Sequence, residues 1–218
     1  MGYSMQRVRP MGQVIQPVKS VPEGEISFEE FLAWGDEDTH AEWVKGKVIL
    51  KMPASVQHQE SNSFVHLLVG TWVRFHQVGK VFHPPLLVRL TMPNGEQLAR
   101  EPDLIVVLNE HLDRLQEQYL DGAPDLIVEI VSPKYRATDR GEKFYEYEAA
   151  GVPEYWIVDP ERQHAEFAQL DEHGVYQVVF SGSKGVYRSK VLNGFWLQVE
   201  WLWQQPPIQE VFKAWGLM

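Results

Sequence analysis

Apolar and polar positions change rhythm several times along the chain, and each rhythm predicts an element. Residues 1–24 carry Pro10, Pro17 and Pro22 and show neither helical nor strand periodicity, so they read as an extended lead-in. Ser27 then precedes Phe28, Phe31 and Leu32, with Glu30 three residues on, the capping-box signature of a short amphipathic helix. Glu42 to Met52 reads as a hairpin turning at Lys45-Gly46. From Ser55 to His76, Phe64, Leu67, Leu68 and Trp72 recur at helical spacing and predict a long helix that stops near Gly79. Leu86 to Thr91 predicts a strand, and Pro93-Asn94-Gly95 a turn into a return strand.

The middle of the chain changes character. Asp103 to Leu108 and Asp125 to Val131 are nearly unbroken apolar runs, the composition of strands buried on both faces. The intervening stretch from Asn109 to Tyr119 is polar and reads as helix or loop. After a polar loop over Ser132 to Thr138, Asp139 can cap a helix that runs to about Ala150 and stops at Gly151. Tyr155 to Val158 follows as another apolar run. Strand, helix and strand in this order predict a βαβ unit with a parallel pair. Tyr176 to Phe180 reads as a further strand. In Phe195 to Trp203 the odd positions are all apolar, which predicts one strand with a buried face. Pro206-Pro207 then opens a short helix that packs Val211 and Trp215. The sum is a mixed α/β fold with extra C-terminal strands.

Composition narrows the classes. At 218 residues and 44% hydrophobic, the chain can bury a sizeable core, and one domain over residues 25–218 is the simplest division. It has no Cys, which excludes disulfide scaffolds, thiol nucleophiles and Cys-based zinc modules. No apolar run is long enough to span a membrane, and the N-terminus lacks a signal-peptide core, so a cytoplasmic protein is expected. The net charge of −10 removes the simplest argument for nucleic-acid binding, although a bound divalent metal would offset part of the repulsion.

Against this background three charged residues stand out. Glu129 interrupts an apolar strand, where an ionised carboxylate is costly unless paired. A strand-end glutamate reaching solvent and a structural ion pair are the plain alternatives. Asp103 opens an apolar strand directly after Pro102, where it also serves as an ordinary turn residue. Lys143 falls in the first turn of the helix after the Glu129 strand, where the helix dipole disfavours a cation and where a side chain can hang over the strand end. A solvated lysine is the plain alternative there. Together, two carboxylates on adjacent strands suit a hard divalent cation, and a nearby lysine suits an attacking water or a phosphate.

These residues lie in ordered motifs: Pro102-Asp103, Gly122 to Pro133 (GAPDLIVEIVSP), Asp139 to Lys143 (DRGEK) and Gly151 to Asp159 (GVPEYWIVD). In this the chain resembles the Uma-type endonuclease group of the PD-(D/E)XK nuclease superfamily, over about residues 25–203. The resemblance implies a restriction-endonuclease-like fold, a mixed central sheet flanked by helices. It implies a metal-dependent endonuclease that cuts DNA to leave a 5′-phosphate and a 3′-hydroxyl. Asp103 and Glu129, with the Ile130 carbonyl, would hold Mg²⁺ or Mn²⁺. The superfamily's usual lysine place, two residues after the glutamate, is Val131 here, and Lys143 is the candidate in its stead. Glu42 and His58 match further family positions; a solvated Glu42 and a capping or surface His58 are the plain alternatives.

Lys134, Arg136 and Arg140 form the local basic cluster suited to phosphates flanking the cut, though residues 100–150 hold twelve acidic against six basic side chains. Two-fold dimers are frequent in the superfamily, and a homodimer is expected, with the Trp-rich C-terminal strand as a candidate surface. A catalytically inactive binding module on the same fold and an RNA-directed hydrolase are the competing functions.

Overall fold

The computed structural model describes residues 20–218 apart from 37, 133–137 and 139. The capping box at Ser27 forms as predicted: its hydroxyl accepts from the Glu30 amide while the Glu30 carboxylate accepts from the Ser27 amide, opening α1 (Phe28–Trp34). The hairpin β1 (Ala41–Val44) and β2 (Lys47–Leu50) turns at Lys45 and Gly46, both at positive φ. Ser55 caps the long helix α2 (Val56–His76). Of its predicted apolar face, Phe64, Leu68 and Trp72 are buried, whereas Leu67 is 43% exposed and lies outside the core.

Two larger sheets organise the molecule. The five-stranded sheet has the order β2-β1-β5-β4-β7, with β4 (Leu87–Thr91), β5 (Gln97–Arg100) and β7 (Tyr119–Asp121). The six-stranded sheet has the order β11-β10-β9-β8-β6-β3, with β3 (Gly79–Phe82), β6 (Leu104–Leu108), β8 (Leu126–Ile130), β9 (Glu154–Asp159), β10 (His164–Leu170) and β11 (Tyr176–Gly182). Pairing is antiparallel except between β4 and β7 and between β8 and β9. The parallel β8–β9 pair is joined through α3 (Glu142–Ala149), which completes the predicted βαβ unit. Asp139, its predicted cap, lies outside the described residues. Residues 109–114 form a 3₁₀ helix.

The pleat of the central strands sorts the core. In β6 and β8 the even residues, among them Leu104, Val106, Leu126 and Val128, pack with α2 and the C-terminal aromatics. The odd residues Ile105, Val107, Ile127 and Val131 pack on the opposite side with Tyr147 of α3. Both faces are covered, so the strands read as continuous apolar runs. A third cluster seats α1 on the five-stranded sheet through Phe28, Phe31 and Trp43.

The C-terminal segment departs from its predicted single strand. Only Trp196–Gln198 is extended, as β13 paired with β12 (Val186–Arg188), and Trp201–Gln204 turns into a short helix, α4. Phe195, Leu197, Val199 and Trp201 are all buried, so the alternation is real and the backbone alone changes form. The final helix α5 (Ile208–Ala214) buries Val211 and brings Trp215 onto Trp72 and Phe195. The tryptophans expected to cover a dimer contact thus pack largely within the chain's own core. Among the described residues no helix is long and apolar enough to cross a membrane.

Candidate active site

The antiparallel register of β6 and β8 pairs Leu104 with Val128, and one further step sets Asp103 opposite Glu129. Directly opposed residues share a face of a sheet. Both carboxylates therefore stand at the strand ends on the face covered by α3. Asp103 accepts from the Ile130 amide at 2.7 Å and meets His58 Nε2 at 3.2 Å. Ser55 accepts from the His58 amide and so fixes the first turn of α2, which carries that imidazole.

Helix α3 supplies the other half. Lys143 and Tyr147 are four residues apart and share its inner face. Lys143 Nζ and Tyr147 Oη both donate to Glu129 Oε1, at 2.9 and 2.8 Å. Lys143 also lies 3.5 Å from Glu42 Oε1. Glu42 comes from β1, where extension of the β1–β5 register places it opposite Arg100. Arg100 donates to Glu42 Oε2 at 2.7 Å and grips Glu146 of α3 with two bonds of 2.8 Å. These contacts join α3 to both large sheets at one point.

The result is a cavity of about 910 Å³ lined by Glu42, Lys51, His58, Asp103, Glu129 and Lys143, with neighbours from the same elements. Its electrostatics follow from burial opposed by pairing. Burial alone would raise the Glu42 carboxyl, but Lys143, Arg100 and Lys51 outweigh it and hold the pKa at about 2. Asp103 follows the same pattern: burial raises it, while the hydrogen bond from His58 and the Lys51 charge bring it below the usual range. For His58, burial lowers the pKa, but the Asp103 partner prevails and raises it. Glu101 goes the other way, because its burial exceeds what Lys51 and His40 return.

The predicted site residues Asp103, Glu129, Lys143, Glu42 and His58 all line this one cavity, as does Ile130. The plain alternatives of a solvated Glu42, a solvated Lys143 and a surface His58 are replaced by buried or half-buried contacts. Arg140 does not join them: its guanidinium is held by Glu166 at 3.2 Å and Asp159 at 3.6 Å. Lys134 and Arg136 lie outside the described residues. Arg100, Glu146 and Tyr147 are further members of this charged cluster that sequence reading passed over. Their available signal was spacing, since Glu146 and Tyr147 fall three and four residues after Lys143.

The donor set suits a hard cation. Asp103 and Glu129 offer carboxylate oxygens and Ile130 a carbonyl, the chemistry of Mg²⁺ or Mn²⁺ ligands. Among the described residues no three His, Asp or Glu side chains form a closed metal cage. Mg²⁺ does not require one, as it commonly keeps several waters beside one or two carboxylates. Glu101 Oε2, a buried oxygen with no hydrogen-bond partner, lines the same cavity.

Comparison with known proteins follows the same line. The family model described as "Uma2: Putative restriction endonuclease" matches residues 28–200. No curated protein matches. A solved structure from Anabaena variabilis ATCC 29413, described as a "putative nuclease belonging to DUF820", superposes with a TM-score of 0.68 at 20% identity. The match covers 82% of this chain and 98% of that one, and the likeness shows a shared fold. The mixed sheet flanked by helices, expected as a restriction-endonuclease-like architecture, is borne out.

Proposed function

The chain belongs to the Uma2 family, and from that membership we propose that it hydrolyses phosphodiester bonds of nucleic acid, DNA in preference to RNA, in the cavity between α2 and α3. One observation carries the reading: two buried carboxylates on adjacent strands, Asp103 and Glu129, meet Lys143 delivered from the next helix. Charges in apolar strands cost stability, and a chemical role accounts for their presence.

In this reading Asp103, Glu129 and the Ile130 carbonyl hold Mg²⁺ or Mn²⁺, which when bound acidifies a water and offsets phosphate charge. The chain's own groups do the positioning. Lys143 and Tyr147 fix the Glu129 carboxylate from one side. Lys143 also faces the space where a water beside Glu129 and Glu42 would be oriented. His58 aligns Asp103 from the other side, and its raised pKa favours a proton on the imidazole that can be shared with a substrate oxygen. A two-fold dimer and a single domain over residues 25–218 complete the proposal.

The rival is a non-catalytic binding module. The specific observation in its favour is that Arg100 and Lys143 are already spent on internal carboxylates. Mn²⁺ calorimetry on the wild type, Asp103→Ala and Glu129→Ala, with nicking of supercoiled plasmid by the same samples and by Lys143→Met, separates the two. The nuclease reading expects binding lost in both carboxylate variants and nicking down at least about 100-fold in all three. A wild type that takes up no Mn²⁺ at millimolar concentration and leaves the plasmid intact would make the binding module the better account.

A further inference from the structure

Among the described residues three lysine and arginine side chains line the cavity: Lys51, Arg100 and Lys143. Two of them are committed. Arg100 is 1% exposed, with its nitrogens on Glu42 and Glu146. Lys143 is 5% exposed and lies against Glu129 and Glu42. Their charge balances the buried carboxylates and leaves little for an incoming phosphodiester.

Lys51 differs in each respect. It follows the β1–β2 hairpin, is half-buried, and makes no ion pair with a carboxylate of the described residues. Its Nζ donates to a neutral acceptor, the Glu101 carbonyl, at 2.6 Å. Its charge nonetheless acts on Glu42, Glu101 and Asp103, which line the same cavity.

A second observation points to the same region. Among the described residues three buried side-chain atoms lack a hydrogen-bond partner: His58 Nδ1, Asn62 Oδ1 and Glu101 Oε2. All three residues line this cavity. A buried polar atom without a partner is costly, so three on residues that line one cavity mark a place built for a polar occupant.

We propose that Lys51 is a phosphate-binding residue of this cavity, its ammonium meeting a non-bridging oxygen of the scissile phosphodiester. The assignment rests on the nuclease reading and deepens it. Lys143 holds the carboxylates in place, and Lys51 meets the substrate. A lysine suits this place because its compact charge sits on a flexible stem and can leave the Glu101 carbonyl for a phosphate.

The test measures binding apart from cutting. A fluorescein-labelled 12-mer duplex is titrated by anisotropy in Ca²⁺ at several salt concentrations, with wild type, Lys51→Met and Lys51→Arg, folding being checked by circular dichroism. Lys51→Met is expected to weaken binding about tenfold and to reduce the slope of log K against log salt by about one phosphate contact, while Lys51→Arg keeps the slope. Plasmid nicking should show the loss of Lys51→Met mainly in KM. An unchanged slope and affinity in a folded Lys51→Met would overturn the assignment and leave the nuclease reading standing. A wild type that binds with the expected Lys51 dependence but never nicks would sink the nuclease reading alone. A wild type that binds no duplex sinks both.

Discussion

Glu42 sits among Lys51, Arg100 and Lys143, and their field outweighs its own burial. Its carboxyl is held at about 2 against an ordinary 4.5, a gap equivalent to roughly 3 kcal/mol. A depressed acid stabilises the fold fully above its unfolded value, and that contribution is lost as pH falls through the folded value. Glu42→Gln should therefore be less stable than wild type by roughly 3 kcal/mol above pH 5, with the difference shrinking from pH 4.5 toward 2. Urea unfolding across that range checks it; a difference independent of pH would remove the ionic explanation. The same physics made the core of the site legible. Asp103 and Glu129 were conspicuous because a charge in an apolar strand needs a reason. Arg100 was not, because an arginine closing the short strand QLAR reads as an ordinary solvated end. Lys51 escaped notice likewise, since nothing in its flanking residues signals that the hairpin folds over the carboxylates.

Whole elements show where period carries information and where it stops. β6 and β8 were readable because both faces are buried and the runs are unbroken. β10 was not, since in HAEFAQL only Phe167 is a strong strand former, while Ala and Glu are disfavoured there. The run from Phe195 to Trp203 misled because alternate burial persists while the backbone passes from strand to helix. What holds that region in place is Glu154 on β9. Its fully buried carboxylate accepts from Trp156 Nε1, Tyr187 Oη, Ser189 Oγ and the amides of Lys190 and Val191, at 2.6 to 2.9 Å. Glu154→Ala strands all five donors, at a cost of at least about 3 kcal/mol. Urea unfolding should show that loss, and proteolysis should cut first near residues 186–192. A variant as stable as wild type would mean that water replaces the carboxylate.

At the scale of the whole molecule the net charge of −10 opposes a polyanion, and Arg140, once a candidate for flanking phosphates, is used on Glu166 and Asp159. Among the described residues Glu42, Glu101, Asp103, Glu129 and Glu142 add five carboxylates to the cavity wall. Divalent cations should therefore govern nucleic-acid affinity as well as cutting. Replacing Ca²⁺ by EDTA at constant ionic strength is expected to weaken duplex binding at least about tenfold. Equal affinity in the two buffers would place the binding surface away from the cavity. The fold was legible at this scale because the βαβ unit and its motifs occur in order; the division into two sheets was not, because it depends on pairings between distant segments such as β1 with β5.

One feature of α3 reaches beyond chemistry. Lys143 and Tyr147 grip Glu129 on one sheet, while Lys143 and Glu146 meet Glu42 and Arg100 on the other. The proposed reactive centre and the mortar between the sheets are thus the same atoms. A descendant that gave up cutting would still have to keep most of these charges, or find new masonry for the joint. In such a lineage the outward mark of lost activity would be a change at Lys51 or His58, whose side chains serve the open wall of the cavity, while the seam itself stayed unchanged.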